Sequence, residues 1–204
     1  MSEIHIIAGT GGHAQILLET LLAQNKRIIG ATEKSPLIKS QSIDDIAILG
    51  DDDYILKYDA KDVMLVNGIG WVPGSDNKRK AIFERFESLG YFFANVVSNS
   101  AHVSDSAILH QGVQALSGAV IQTGCTIGAN TILNTQSSID HHTLIGKNCH
   151  IAPGAIVCGN VRIGDDTFIG AGAIIINNIE VGDNCVIGAG ATLKENLSSG
   201  SRYG

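Results

Sequence analysis

The densest acid–base chemistry in the sequence is a run of three residues, Asp140, His141 and His142. An imidazole beside a carboxylate suits general-base work, because the acid holds one tautomer and raises the basicity of the ring. His141 is expected to face outward and act as the base. Histidine also tolerates a left-handed backbone better than most residues, so His142 has a conformational reading as well as a chemical one. The other histidines say less. His5 alternates with Ile4 and Ile6 and reads as a surface or rim residue, and His102 and His110 have no partner that the sequence reveals. The four cysteines, Cys125, Cys149, Cys158 and Cys185, contain no C-x-x-C pair, which argues against a structural zinc site. Cys125, Cys149 and Cys185 fall where small residues recur and are expected to pack as small hydrophobes. Nothing suggests a disulfide framework, so a reducing, cytoplasmic location is expected.

A second chemical feature is Gly9-Thr10-Gly11-Gly12-His13-Ala14, which matches G-x-G-x-x-A between an expected strand and an expected helix. Glycines there let the backbone approach a phosphate, and the helix N-terminus attracts the anion. Glu33 follows the second expected strand at about the spacing of a ribose-binding acid. Only about 94 residues accompany this turn, one mononucleotide-sized half of a dinucleotide fold. A single nucleotide, such as the UDP of a nucleotide sugar, is therefore expected rather than NAD.

These residues must be held by two different architectures, because the composition changes near residue 95. Up to Ala94 there are 10 Lys/Arg and 13 Asp/Glu, and after it only 4 and 7. The first part alternates strand-like runs (4–8, 26–31, 46–49, 63–69 and 92–97) with helical patterns after the glycine turn, over 51–58 and over 77–89. That alternation predicts a small parallel α/β sheet. The second part repeats every six residues. From Val103 to Leu193 all 16 positions in steps of six are apolar. Four residues further along, 14 of 16 are Ala, Val, Thr, Ser or Cys, with Ile179 and Leu197 the exceptions. Three residues along, 13 of 16 are Gly, Asn or Asp, with Ser106, Gln136 and His142 the exceptions. Three columns in phase predict a solenoid of short parallel strands, with an aliphatic residue inside and a left-handed residue at each corner. Three hexads close one 18-residue coil, giving about five coils. The expected division is 1–97 and 98–204.

Composition removes other classes. An apolar content of 44% with 17% charged residues excludes a disordered chain. A net charge of -6 gives no electrostatic reason to expect nucleic acid. No apolar run approaches the roughly 20 residues of a membrane helix, and the first residues, MSEIHIIAGTGGH, lack the basic start of a signal peptide.

The hexads resemble the repeats of the left-handed parallel β-helix, and the handedness is taken from that resemblance. A G-x-G-G-H turn on a small Rossmann-like domain, the Ile48–Asp51 segment ILGD and coils carrying an Asp-His pair together resemble one family across nearly the whole chain. It is the family of sialic-acid O-acetyltransferases and bacillosamine-type sugar N-acetyltransferases. The stretches SSIDHHTLIG, HIAPGAIVCGNVRIGD and GAGATL carry the likeness in the second part. The resemblance implies acetyl transfer from acetyl-CoA to the 4-amino group of a UDP-4-amino-4,6-dideoxy sugar, with no metal. An alternative is O-acetylation of sialic acid or of a polysaccharide precursor. It implies His141 as the base, and His150, Ala171 and Ala189 along acetyl-CoA. Gly159, one coil above His141, is a candidate region for oxyanion stabilisation. Gly11, Gly12 and His13 match the nucleotide-sugar loop, Glu33 and Lys34 a commonly acidic pair, and Gly50 a glycine of the third segment. Homotrimers with the cofactor between subunits are implied as well. The sequence departs from the family at His142, where an acid is usual, at Lys34, and at its last residues, where a Gly-x-Pro-Ala segment is usual. A more distant likeness, to zinc hydratases of the gamma carbonic anhydrase type, would make ligands of His110, His141 or His142, and His150.

Overall fold

The computed structural model describes residues 3–33, 42–43 and 45–204. They form two units, one of residues up to Trp71 with Ser75–Val96, the other of Val72–Gly74 with Val97–Gly204. The first contains β1 (Ile4–Ala8), α1 (Gly12–Ala23), β2 (Arg27–Thr32), β3 (Ser42–Ile43), β4 (Ile46–Gly50), β5 (Val63–Asn67), α2 (Lys78–Ser88) and β6 (Phe92–Phe93). A 3-10 turn at Asp52–Lys57 stands where a short helix is expected, started by the Asp51 carboxylate accepting from the Asp53 N–H. The strand order is β3-β4-β2-β1-β5-β6, parallel except that β3 runs antiparallel to β4. The order reverses between β1 and β5. At such a switch point the connections leaving the strands part in opposite directions and open a crevice at the strands' carboxyl ends.

β1 lies in the middle of this sheet, and Ile6, Ile7 and Ala8 are fully buried. Its alternation therefore does not separate a wet face from a dry one. His5 is only 2% exposed and its Nδ1 has no hydrogen-bond partner, which corrects the surface reading of this residue. Leu17, Leu18 and Leu21 bury the inner stripe of α1, and Phe83 and Phe86 that of α2, with Phe83 packed on Phe93.

The second unit is a left-handed parallel β-helix of two-residue strands. They form three parallel sheets of seven, six and five strands, each strand up to the last pair of the seven-stranded sheet pairing with the one 18 residues on, as Val103 with Ile121 and Ile121 with Ile139. The inward column makes one continuous core, buried from Ala115 to Leu193. The corner column is left-handed at each position from Gly112 to Gly190, including Gln136 (φ 56°) and His142 (φ 59°). The small column is not filled by volume alone. Thr131, Thr143 and Thr167 are buried, and each hydroxyl donates to a carbonyl of the next coil (of Gly146, Cys158 and Gly182) while accepting the N–H 18 residues on.

Two differences from the repeat count stand out. The expected strand over 92–97 is two strands: Phe92–Phe93 extends the α/β sheet, whereas Val96–Val97 already belongs to the coil stack. After Leu193 the spacing drops by two, so that Val181 pairs with Leu197 and Ile187 with Tyr203. Leu197 is therefore no misfit in the small column; it packs against the core at an inward position, as Tyr203 does.

Candidate active site

The first unit has a crevice of about 690 Å³ at its switch point. Its floor is Gly9–His13 between β1 and α1, and Gly68–Gly70 after β5. Thr32, Glu33 and Asp51–Asp53 line one side, and Lys78 and Arg85 the other. α1 starts inside this crevice with Gly11 as its cap, no side-chain cap and no acidic residue in the first turn. The positive end of its dipole is therefore not offset by an acidic side chain in the first turn. A Cβ on Gly11 or Gly12 would touch no protein atom within 4 Å, so bulk there would project into the crevice itself. Glu33 is held in place: its carboxylate accepts from the Thr10 hydroxyl at 2.5 Å, and its N–H donates to the Gly50 carbonyl at 2.8 Å. Gly50 thus supports Glu33 from outside the crevice lining. Lys34 lies outside the described residues.

Sequence reasoning missed the far wall. Arg79 is 3% exposed and its guanidinium donates to the carbonyls of Asn67 and Ile69, while the Asn67 amide donates back to the Arg79 carbonyl. This closed set pins the Gly68–Gly70 loop. Arg85 pairs with Asp53 across the crevice rim at 2.5 Å. These residues follow β5 and ride on α2, and no motif joins them to the glycine turn. The run Asp51-Asp52-Asp53 after β4 was the one local signal available.

In the second unit, Asp140, His141 and His142 form the corner between strands Ser138–Ile139 and Leu144–Ile145. Both imidazoles are exposed. The Asp140 carboxylate does not touch the His141 ring; Oδ1 accepts the His141 backbone N–H at 2.8 Å. Asp140, one of the groups that could support the ring, fixes the turn instead. The ring partner is His142, with the two Nδ1 atoms 3.1 Å apart and the ring planes at 75°. Each ring occupies room left by a glycine in a neighbouring coil. A Cβ on Gly159 would lie 2.6 Å from Cε1 and Nε2 of His141, and one on Gly124 would lie 2.8 Å from Cδ2 of His142.

The remaining residues do not converge on this corner. His150 is 7% exposed, in edge-to-face contact with Phe168 and with Nε2 3.0 Å from the Asn134 amide nitrogen. Ala171 and Ala189 are exposed one coil apart at a different corner, after strands Phe168–Ile169 and Val186–Ile187. The two corners lie at opposite edges of one sheet. Among the described residues no three His, Cys, Asp or Glu side chains are grouped as a metal site, and His110, His141 and His150 do not meet. Cys125, Cys149 and Cys185 are buried, and burial pushes the Cys149 thiol up to about 12; Cys158 alone is partly exposed.

The match to known proteins divides as the two units do. Residues 5–86 match the PglD N-terminal domain, and residues 142–177 and 160–195 match the bacterial transferase hexapeptide of six repeats. The whole chain is similar to solved structures. One is a mutant of the perosamine N-acetyltransferase of Caulobacter crescentus in complex with CoA and GDP-perosamine, at 26% identity over 98% of this chain and 91% of that one (TM-score 0.87). Another is the acetyltransferase domain of PglB from Neisseria gonorrhoeae in complex with acetyl coenzyme A, at 26% identity over 99% and 96% (TM-score 0.90). A third, WeeI from Acinetobacter baumannii, shares the fold at 19% identity over 100% and 97% (TM-score 0.85).

Proposed function

The chain belongs to the hexapeptide-repeat sugar acetyltransferases that carry a PglD-type N-terminal domain, and from that premise we propose that His141 serves as general base for acetyl transfer to the 4-amino group of a UDP-4-amino-4,6-dideoxy sugar. The enzyme is acetyl-CoA-dependent, and its substrate class is the amino sugars. The observation that carries the proposal is the exposed His141 ring seated against Gly159, in a chain whose other unit offers a mononucleotide-sized crevice. The crevice takes the nucleotide, with phosphate at the start of α1 and Glu33 on a hydroxyl of the ribose.

The sugar amine attacks the thioester carbonyl as Nε2 of His141 accepts its proton. The tetrahedral oxyanion collapses with loss of CoA as thiolate. CoA is a good leaving group, so positioning and one base suffice. Among the described residues the Gly159 N–H has no protein acceptor, and it is a donor available to the oxyanion. His150, Ala171 and Ala189 lie along acetyl-CoA. Because they occupy a different edge of the coil from His141, we infer a homotrimer in which one subunit's cofactor edge faces its neighbour's base. Cytoplasmic acetyl-CoA and four unpaired thiols fit a reducing compartment.

The test is a turnover screen with acetyl-CoA and UDP- and GDP-linked 4-amino sugars, following thiol release and the mass of the product. An N-acetylated UDP-sugar is expected. Preference for the GDP-sugar would overturn the nucleotide assignment, ester formation on a hydroxyl would overturn the acceptor, and a burst of acetyl-enzyme would overturn direct transfer.

A further inference from the structure

His142 occupies a position whose backbone requirement and side-chain contact are separable. Its φ of 59° is satisfied in the adjacent coils by Gly124 and Asn160, at the same column. Histidine is thus not needed there to turn the corner. Yet its ring is directed along the corner to Nδ1 of His141, 3.1 Å away, and Gly124 leaves the room that this orientation requires. A contact between two Nδ1 atoms at that distance is a hydrogen bond only if one nitrogen carries hydrogen and the other a lone pair. If His141 donates, its Nε2 keeps a lone pair and is the base. If His142 donates, Nε2 of His141 carries the hydrogen and accepts nothing.

We propose that His142 is the positioning residue of the acetyl transfer: as a neutral Nε2–H imidazole it accepts the Nδ1–H of His141, fixes the tautomer with Nε2 free, and goes on accepting when His141 takes the substrate's proton. The inference rests on the reading of His141 as base. Other groups facing the pair do not take this part. Asp140 is engaged by the His141 N–H. The preceding coil offers Gln122, Thr123 and Cys125, whose thiol donates to the Asp140 carbonyl and is pushed up by burial. The following coil offers Cys158, Gly159 and Asn160, and the Asn160 amide donates to Asn178. No second carboxylate lies in these three stacked turns.

A neutral partner has a consequence that a carboxylate lacks. Protonating His142 removes the lone pair that receives Nδ1–H, and two facing Nδ1–H groups repel. Acid therefore disables the pair through either ring. A carboxylate at 142 would instead favour the charged form of its neighbour.

The experiment compares His142→Gly, His142→Asn and His142→Asp with the parent enzyme, in kcat and KM against pH, with unfolding midpoints as the control for the corner. All three residues accept a left-handed φ. His142→Gly should lower kcat by about 10-fold to 100-fold, the worth of a hydrogen bond to a charged group, with KM for acetyl-CoA unchanged. His142→Asn, whose amide oxygen can accept, should recover part of that loss. His142→Asp should restore kcat at high pH and move the acid limb of the profile upward by about one pH unit or more. Parent-like kcat and an unmoved acid limb in His142→Gly and His142→Asp would overturn the proposal and leave His142 a corner residue. His141→Ala run alongside separates the two ideas. If it is also fully active, the base assignment itself has failed; if it alone is inactive, only the role of His142 has.

Discussion

At the scale of single residues, the position of the His141 ring is decided by atoms that are absent. Gly159 has an ordinary backbone conformation, so alanine there brings no strain of its own, but its Cβ would meet the imidazole at 2.6 Å. The ring, free on its solvent side, is what has to move. Gly159→Ala should leave the unfolding midpoint nearly unchanged and lower kcat by about 10-fold to 100-fold, since displacements near 1 Å cost on that order. Unchanged turnover in this variant would show that the seat does not position the ring. The pairing of His141 with His142 rather than Asp140 was not legible from the run Asp-His-His. It depends on a φ of 59° and on glycines 18 residues away in opposite directions. The outward direction of His141 was legible, because each corner of a period-six coil presents its third column to solvent.

At the scale of elements, the two halves differ in how much of themselves they write into the chain. A coil repeats its environment every six residues, so inward, small and corner positions appear as columns, and only the two-residue shortening after Leu193 breaks them. The α/β sheet has no such redundancy. Its crevice draws on loops after four different strands, and Arg79, which pins one of them, lies in a helix with no motif around it. Nor does strand alternation report burial at the centre of a sheet, as His5 shows. Burial of His5 pushes its pKa below the usual 6.5, with the Lys26 charge acting in the same sense. The unfolded chain therefore binds this proton more tightly than the folded one. The stability tied to neutral His5 is complete above about pH 6.5 and is lost as pH falls through 6.5 toward the folded value, by about 1.4 kcal/mol for each tenfold difference in proton affinity. His5→Leu, which removes the proton site and the unpaired Nδ1, should flatten the dependence of the unfolding midpoint between pH 7 and 5, about the range where an ordinary histidine titrates. An equally steep dependence in the variant would assign the acid sensitivity elsewhere.

At the scale of the whole molecule, the α/β crevice and the His141 corner belong to separate units of the chain, so the proposed function divides nucleotide recognition and acetyl transfer between them. Substitutions should therefore divide by kinetic parameter. Gly12 opens α1 and a Cβ there would meet no protein atom within 4 Å, so Gly12→Val directs its bulk into the crevice. It should raise KM for the nucleotide sugar by about 10-fold or more while KM for acetyl-CoA stays within about twofold, because only ground-state binding of one substrate is lost. Equal weakening of both substrates would contradict the division. The central claim, however, is that one exposed imidazole at a coil corner removes the proton from the attacking amine. Its most direct measurement is single-turnover acetyl transfer by His141→Ala with acetyl-CoA and the UDP-4-amino sugar both saturating. A rate lower by about 100-fold to 10,000-fold, with both substrates still bound, is the result expected from loss of a general base; a rate within a few-fold of the parent enzyme would contradict the account.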